Sequence, residues 1–133
     1  MPSTESRDDD AAELHRIAYE FTQGFNSGDV DRIMRFYGDT YVDVNLRDPV
    51  QSWQERRAYY AHVIDRGGFR VAVQPDEIQI HGEFAFVRGT LELIRPGGTN
   101  TELRYLEILR RHPDGHWRVM WGMDGPVQEY NPP

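Results

Sequence analysis

From Gly68 onward the chain is a succession of alternating apolar and polar runs separated by turn signals, and no other feature restricts its fold as much. Phe69, Val71 and Val73 alternate up to Pro75. Phe84 to Ile94 follows the turn at Gly82-Glu83, Glu102 to Arg111 follows Pro96-Gly97-Gly98, and Trp117 to Met123 follows Pro113-Asp114-Gly115. Successive side chains of a strand point to opposite faces, so a period of two predicts strands. Pro presets one backbone dihedral and Gly accepts a positive one, which gives Pro-Asp-Gly a mechanism as a turn. The expected product is a four-stranded antiparallel meander.

The first half reads in the helical period instead. Leu14, Ile17, Ala18, Phe21 and Phe25 form one apolar stripe, which predicts a helix over about residues 10–26. Gly28 is placed to terminate it, and Asp29 to cap a short second helix carrying Val30, Ile33, Met34 and Tyr37. Tyr41 to Leu46 alternates weakly and predicts a short strand, which Asp48-Pro49 interrupts. Ser52-Trp53-Gln54-Glu55 fits a capping box, so a third helix runs from there to about Asp65. Its apolar face carries Trp53, Tyr60, Ala61 and Ile64, and Gly67-Gly68 ends it. Three helices and one early strand, followed by an antiparallel sheet with the helices gathered on one side, define the α+β class.

A chain of 133 residues suits one domain and buries roughly two thirds of its unfolded surface, enough for a core without staples. The expected organisation is a disordered polar leader over 1–10, a domain over 11–124 and a tail over 125–133. With 28% charged and 38% hydrophobic residues the composition is globular. No apolar run approaches the roughly 18 residues of a membrane span. Residues 1–10 lack the basic start and apolar core of a signal peptide, so a cytoplasmic location is expected. A formal net charge of −7 disfavours nucleic acid and anionic membranes as partners. Cysteine is absent, which removes disulfides, thiolate metal sites and a cysteine nucleophile. His15, His62, His81, His112 and His116 form no helical metal pair, so no metal is expected. No Gly-rich phosphate loop or Gly-x-Ser-x-Gly elbow is present, and no cofactor is expected.

Four stretches carry a family resemblance: Phe25-Asn26-Ser27-Gly28-Asp29-Val30-Asp31, Phe36 to Val42, Gly82 to Gly89, and Asp114-Gly115-His116-Trp117-Arg118-Val119. In this order the chain resembles the nuclear-transport-factor-2-like superfamily, in its SnoaL-like or ketosteroid-isomerase-like branch, over about residues 11–124. The resemblance implies a curved antiparallel sheet, a cone-shaped half barrel, with three helices covering a ligand cavity. It also implies that sheet-to-sheet homodimers are common. It does not fix an activity, because the superfamily includes isomerases, cyclases, dehydratases, epoxide hydrolases and pure binding modules.

Strict alternation sorts the strand faces. Phe86, Arg88, Thr90 and Glu92 share one face, and Ala85, Val87, Leu91 and Leu93 the other. Leu103, Tyr105, Glu107 and Leu109 share a face, and Trp117, Val119, Trp121 and Met123 another. Both faces of the sheet are partly apolar, which implies a partner, and a homodimer is expected through Val87, Leu91, Trp117 and Trp121. The opposite face is expected to line the cavity. By analogy with the isomerase pattern, Glu107 takes the position of a carboxylic acid that donates to a substrate oxyanion. Burial in an apolar cavity would raise its pKa and suit it to acid/base work, although an ion pair with Arg88 or Arg118 is the plainer reading.

The pattern also has departures. The isomerase's general base matches Asn45, which cannot take a proton, and its first-helix tyrosine matches Phe21, which has no hydroxyl. Asp48, in an Asp-Pro-Val stretch, and Asp43, on the strand face of Asn45, are the alternative bases. Asn45, Arg88, Glu92, Tyr105, Tyr60, Phe21 and Asp124 are expected to contact the ligand, Arg88 because a guanidinium can hold both oxygens of a carboxylate. The expected function is acid/base chemistry of isomerase, cyclase, lyase or hydratase type on a small, mostly apolar oxygenated molecule, such as a polyketide-, steroid- or terpene-like compound. The alternative is a non-catalytic ligand-binding or dimerisation domain.

Overall fold

A computed structural model describes residues 4–44 and 50–127. The elements run α1 (Thr4–Ser27), α2 (Val30–Met34), β1 (Tyr37–Asp43), β2 (Gln51–Ser52), α3 (Trp53–Arg66), β3 (Arg70–His81), β4 (Phe84–Ile94), β5 (Thr101–Arg111) and β6 (Trp117–Pro126). One sheet holds all six strands in the order β2-β1-β6-β5-β4-β3. The four-stranded meander is as expected, and the fold is α+β with three helices on a curved, open sheet. Its one parallel pairing is β1 with β6, which brings the early strand to the far side of the meander.

Helix α1 begins at Thr4, well before residue 10, where the sequence has no apolar periodicity to announce it. Asp10 is buried and accepts a hydrogen bond from the indole Nε1 of Trp117 at 3.0 Å, and it also pairs with Arg111. Glu13 accepts from the Trp117 backbone N–H at 3.1 Å. Trp117 is fully buried. At the other end of the helix, Asn26 forms a two-way clamp on Val71 of β3, donating to its carbonyl at 2.9 Å and accepting from its N–H at 2.8 Å. Between these anchors the stripe of Leu14, Ile17 and Phe25 is buried in the core.

Gly28, at φ 76°, turns the chain, and Asp29 caps α2 by accepting from the N–H of Arg32. Helix α2 stops at Met34, and Tyr37 opens β1 instead of continuing the helix. The capping box of α3 is present with Ser52 and Glu55 in the expected roles, and Gly67 follows its last turn. Strand β3 runs on through Pro75, where the register slips between Pro75 and Glu77. Pro is tolerated there because β3 is an edge strand with a bulge. Among the described residues no helix is long and apolar enough to cross a membrane.

Two assignments of strand faces are overturned. The pairs Val87↔Glu107 and Gly89↔Tyr105 put the apolar side of β4, not the Arg88/Glu92 side, on the face of Glu107. In β6 the pairing steps from Leu109↔Val119 to Ile108↔Trp121, a bulge at Met120. Trp117 and Val119 therefore point into the core, whereas Trp121 and Met123 point out and Gly122 and Asp124 point in. One extra residue reverses the alternation of everything beyond it. The proposed interface of Val87, Leu91, Trp117 and Trp121 is thus not a surface: Val87 and Trp117 are core, Leu91 lines the cavity, and only Trp121 is exposed.

Candidate functional site

The helices and the inner face of the sheet line a half-open pocket. Its upper wall is apolar, with Ile17, Ala18 and Phe21 from α1 and Ile33 from α2. Val73 and Leu91 close the side formed by β3 and β4. The floor and far end are polar, and the strand register explains how. Glu107 of β5 pairs with Gly122 of β6, which in turn pairs with Asp43 of β1, so one row across three strands holds two carboxylates around a glycine. Any Cβ on Gly122 would come within 2.7 Å of the Tyr41 hydroxyl, so the absent side chain is what lets that ring lie over the row. The next row pairs Tyr105 with Asp124.

Tyr41 donates from its hydroxyl to Oδ2 of Asp43 at 2.9 Å, and the Tyr37 and Tyr60 hydroxyls lie 3.2 Å apart. Phe21 meets Tyr60 edge-on, with centroids 5.6 Å apart. Arg56 enters from α3 and is 6% exposed. Its Nε lies 3.3 Å from Oδ2 of Asp43, near enough to pair charges but not aligned for a hydrogen bond. Its Nη2 reaches Oδ2 of Asp124 at 3.4 Å and its Nη1 donates to Oε1 of Gln51 at 3.2 Å. Tyr59 and Tyr60 each lie 4.6 Å from the guanidinium carbon. A buried charge needs partners of this kind, since leaving it uncompensated costs several kcal/mol.

Glu107 is set apart from this network. It lies deep among protein atoms, keeps accessible surface only at intermediate level, and forms no hydrogen bond or ion pair with any described residue. Burial pushes its carboxyl from 4.5 up to about 7, with Arg56 working against the rise and Asp124 adding to it. Loss of solvent disfavours the ionised form, and this outweighs the attraction of the guanidinium. Burial likewise raises the phenols of Tyr37, Tyr41, Tyr60 and Tyr105, so all four are hydroxyl donors at neutral pH. The Tyr105 hydroxyl is buried with no hydrogen-bond partner among the described residues, its ring lying over Gly89, where a Cβ would clash with it.

Of the residues expected from sequence, the structure brings Glu107, Asp43, Tyr105, Tyr60, Phe21 and Asp124 to one pocket. Asn45 and Asp48 lie outside the described residues. Arg88 and Glu92 do not reach it. Arg88 is exposed on the outer face and pairs with Glu77 at 2.8 Å, while Glu92 accepts from Asn100 at 2.8 Å. Their displacement follows from the reversed face of β4. His62 is exposed on α3. Sequence reasoning missed Arg56, Tyr37 and Tyr41. Arg56 had a usable signal: it stands at i+3 from Trp53 and i−4 from Tyr60, a charge in the middle of an apolar helical stripe. Among the described residues no group of three His, Cys, Asp or Glu side chains is placed to hold a metal ion.

An open sheet wrapped around a pocket by three helices, with a polar floor, defines a class of small α+β domains with a central pocket. The family model described as a SnoaL-like domain matches residues 18–120, and the chain belongs to this family. No curated protein matches it. Solved structures share the fold at low identity. A ketosteroid isomerase-like protein from Erwinia carotovora atroseptica is 20% identical with a TM-score of 0.72, covering 89% of this chain and 96% of that one. A proposed dehydratase of the NTF2-like family from Streptomyces avermitilis is 19% identical with a TM-score of 0.76, covering 92% and 99%. A domain of unknown function with a cystatin-like fold from Nostoc punctiforme is 14% identical with a TM-score of 0.82, covering 96% and 81%. At such identities the likeness extends to the fold alone.

Proposed function

We propose that the pocket takes a small, mostly apolar oxygenated molecule and transfers a proton on it, in a reaction of isomerase, cyclase, lyase or hydratase type, with Glu107 as the proton carrier. The observation that carries this reading is the Glu107 carboxyl. It stands at the pocket floor without a hydrogen-bond partner among the described residues, and burial raises its pKa to about 7, where a carboxyl can both give and take a proton near neutral pH. The hydrogen-bonded pair of Tyr41 and Asp43 would pass on the second proton, with Arg56 holding the Asp43 side chain in position. Tyr60 and Tyr105 would orient a ligand oxygen.

The test is a thermal-shift screen of steroid-, terpene- and polyketide-like ketones and alcohols, followed by turnover of each hit by the wild type and Glu107→Gln. Ligand binding to the native state raises the midpoint by mass action. Loss of turnover with retained binding is expected. Undiminished turnover by the variant would remove Glu107 from the reaction. A binding module without turnover is the second reading, favoured by the way Asp43, Asp124 and Arg56 already occupy one another; hits that bind wild type and variant alike and are never converted would select it.

The outer face of β5 and β6 exposes Ile108, Trp121 and Met123, with Ile108 directly opposite Trp121. This patch, and not the expected Val87 set, is the surface proposed to pair two copies of the chain.

A further inference from the structure

Among the described lining residues the one cation, Arg56, is enclosed by its own neighbours. Asp43, Asp124 and Gln51 stand at the three nitrogens of Arg56, and two tyrosine rings lie within 4.6 Å of its guanidinium carbon. A carboxylate ligand seeking a bidentate hold on this guanidinium would have to displace an internal partner. Facing the ligand are Glu107, a carboxyl with no hydrogen bond or ion pair among the described residues, and the rings of Phe21, Tyr37 and Tyr41. Among the described lining residues three are acidic and one is basic. The whole chain carries −7, which draws cations toward an open mouth. An ammonium group placed among aromatic faces is attracted to their negative π-clouds, and a nearby carboxylate offsets its desolvation.

We infer that the ligand of this pocket carries a protonated amine on its apolar skeleton, with the ammonium seated against Glu107 and the aromatic walls and the skeleton lying along Ile17, Ala18 and Leu91. This rests on the reading of the pocket as the small-molecule site and names the charge of what enters it. The same enclosure of Arg56 makes anionic ligands the disfavoured class.

Phenethylamine, phenethyl alcohol and phenylacetate share one skeleton and differ in charge. They would be titrated into the full chain, with amide shifts followed by two-dimensional NMR, at a pH of about 8, where the amine is protonated and the acid ionised. Phenethylamine is expected to bind at least about tenfold more tightly than either of the others, with shifts centred on Glu107 and Gly122. Glu107→Gln is expected to bring the amine to within about twofold of the alcohol, whereas Glu92→Gln, which removes the same charge from the outer face, leaves the preference intact. Phenylacetate binding as tightly as the amine, equal binding of amine and alcohol, or a preference untouched by Glu107→Gln would each overturn the inference. If the alcohol shifts the pocket residues and the amine does not, the amine is wrong but the small-molecule site stands. If none of the three perturbs the pocket, both fall.

Discussion

Replacing Glu107 by Gln exchanges a titrating carboxyl for a neutral group of the same shape, so the pH dependence of its stability effect measures how the pocket treats a charge. In the folded chain the Glu107 carboxyl is raised from 4.5 to about 7. Below pH 4.5 it is protonated whether the chain is folded or not, and the difference between wild type and variant is flat. Between the two values the folded chain holds a proton that the unfolded chain has lost, so wild-type stability falls relative to the variant as pH rises. Above pH 7 both forms are ionised and the difference levels off. At about 1.4 kcal/mol per pKa unit the full change is about 3 kcal/mol, and somewhat less where pocket water screens the charge. Urea denaturation of both proteins from pH 4 to 8, taking the difference at each pH, isolates this group from all others. The variant should gain steadily through the window. A difference that stays constant, or that moves in favour of the wild type, would mean that Glu107 is not buried against its charge, and the acid/base assignment would lose its physical basis.

Arg56→Ala should destabilise the fold by about 3–5 kcal/mol in denaturant titration, because it leaves Asp43 buried without its cation. Arg88→Ala should leave both ligand binding and midpoint nearly unchanged, since its pair with Glu77 is exposed on the outer face. Asn26→Ala removes both arms of the clamp on Val71 and should cost about 2 kcal/mol, read as a lowered midpoint. Trp121→Glu should convert any dimer to monomer in light scattering with the fold intact by circular dichroism; an unchanged mass would acquit the outer patch.

Local rules made most of the fold legible. Turn chemistry after Gly68, the capping box at Ser52 and the stripe on α1 each name a structure through interactions within a few residues, and those elements stand where expected. The errors lie where distant pairing decides. The bulge at Met120 is imposed by the register of β6 on β5, and a single slipped pair sent Trp121 to the wrong face. Tyr37 fits the helical stripe of α2, yet pairing with Val119 takes it into β1. The start of α1 carries no apolar period, and Asp10 and Glu13 further along it bind Trp117, far away in sequence. In the site, Glu107, Asp43 and Tyr105 were legible as polar residues on strands. Arg56 was legible only as a charge interrupting the apolar stripe of α3; that it stands between two strand carboxylates is decided by the tertiary fold.

The parallel pairing of β1 with β6 bears on the order in which the protein is made. Tyr37 waits for Val119, roughly 80 residues later. At the ~5–20 residues per second of synthesis this amounts to roughly 4–16 s. In that interval the β3–β4–β5 hairpins can close locally, but β1 has no strand beside it other than the two residues of β2. Tyr41 and Asp43, with half of the polar floor, therefore stay open to the cell until the last strand leaves the ribosome. The polar floor of the pocket is the last part to be assembled, and a nascent chain arrested before β6 would present an unpaired edge at Tyr37–Asp43, the segment where we expect chaperone contact to concentrate.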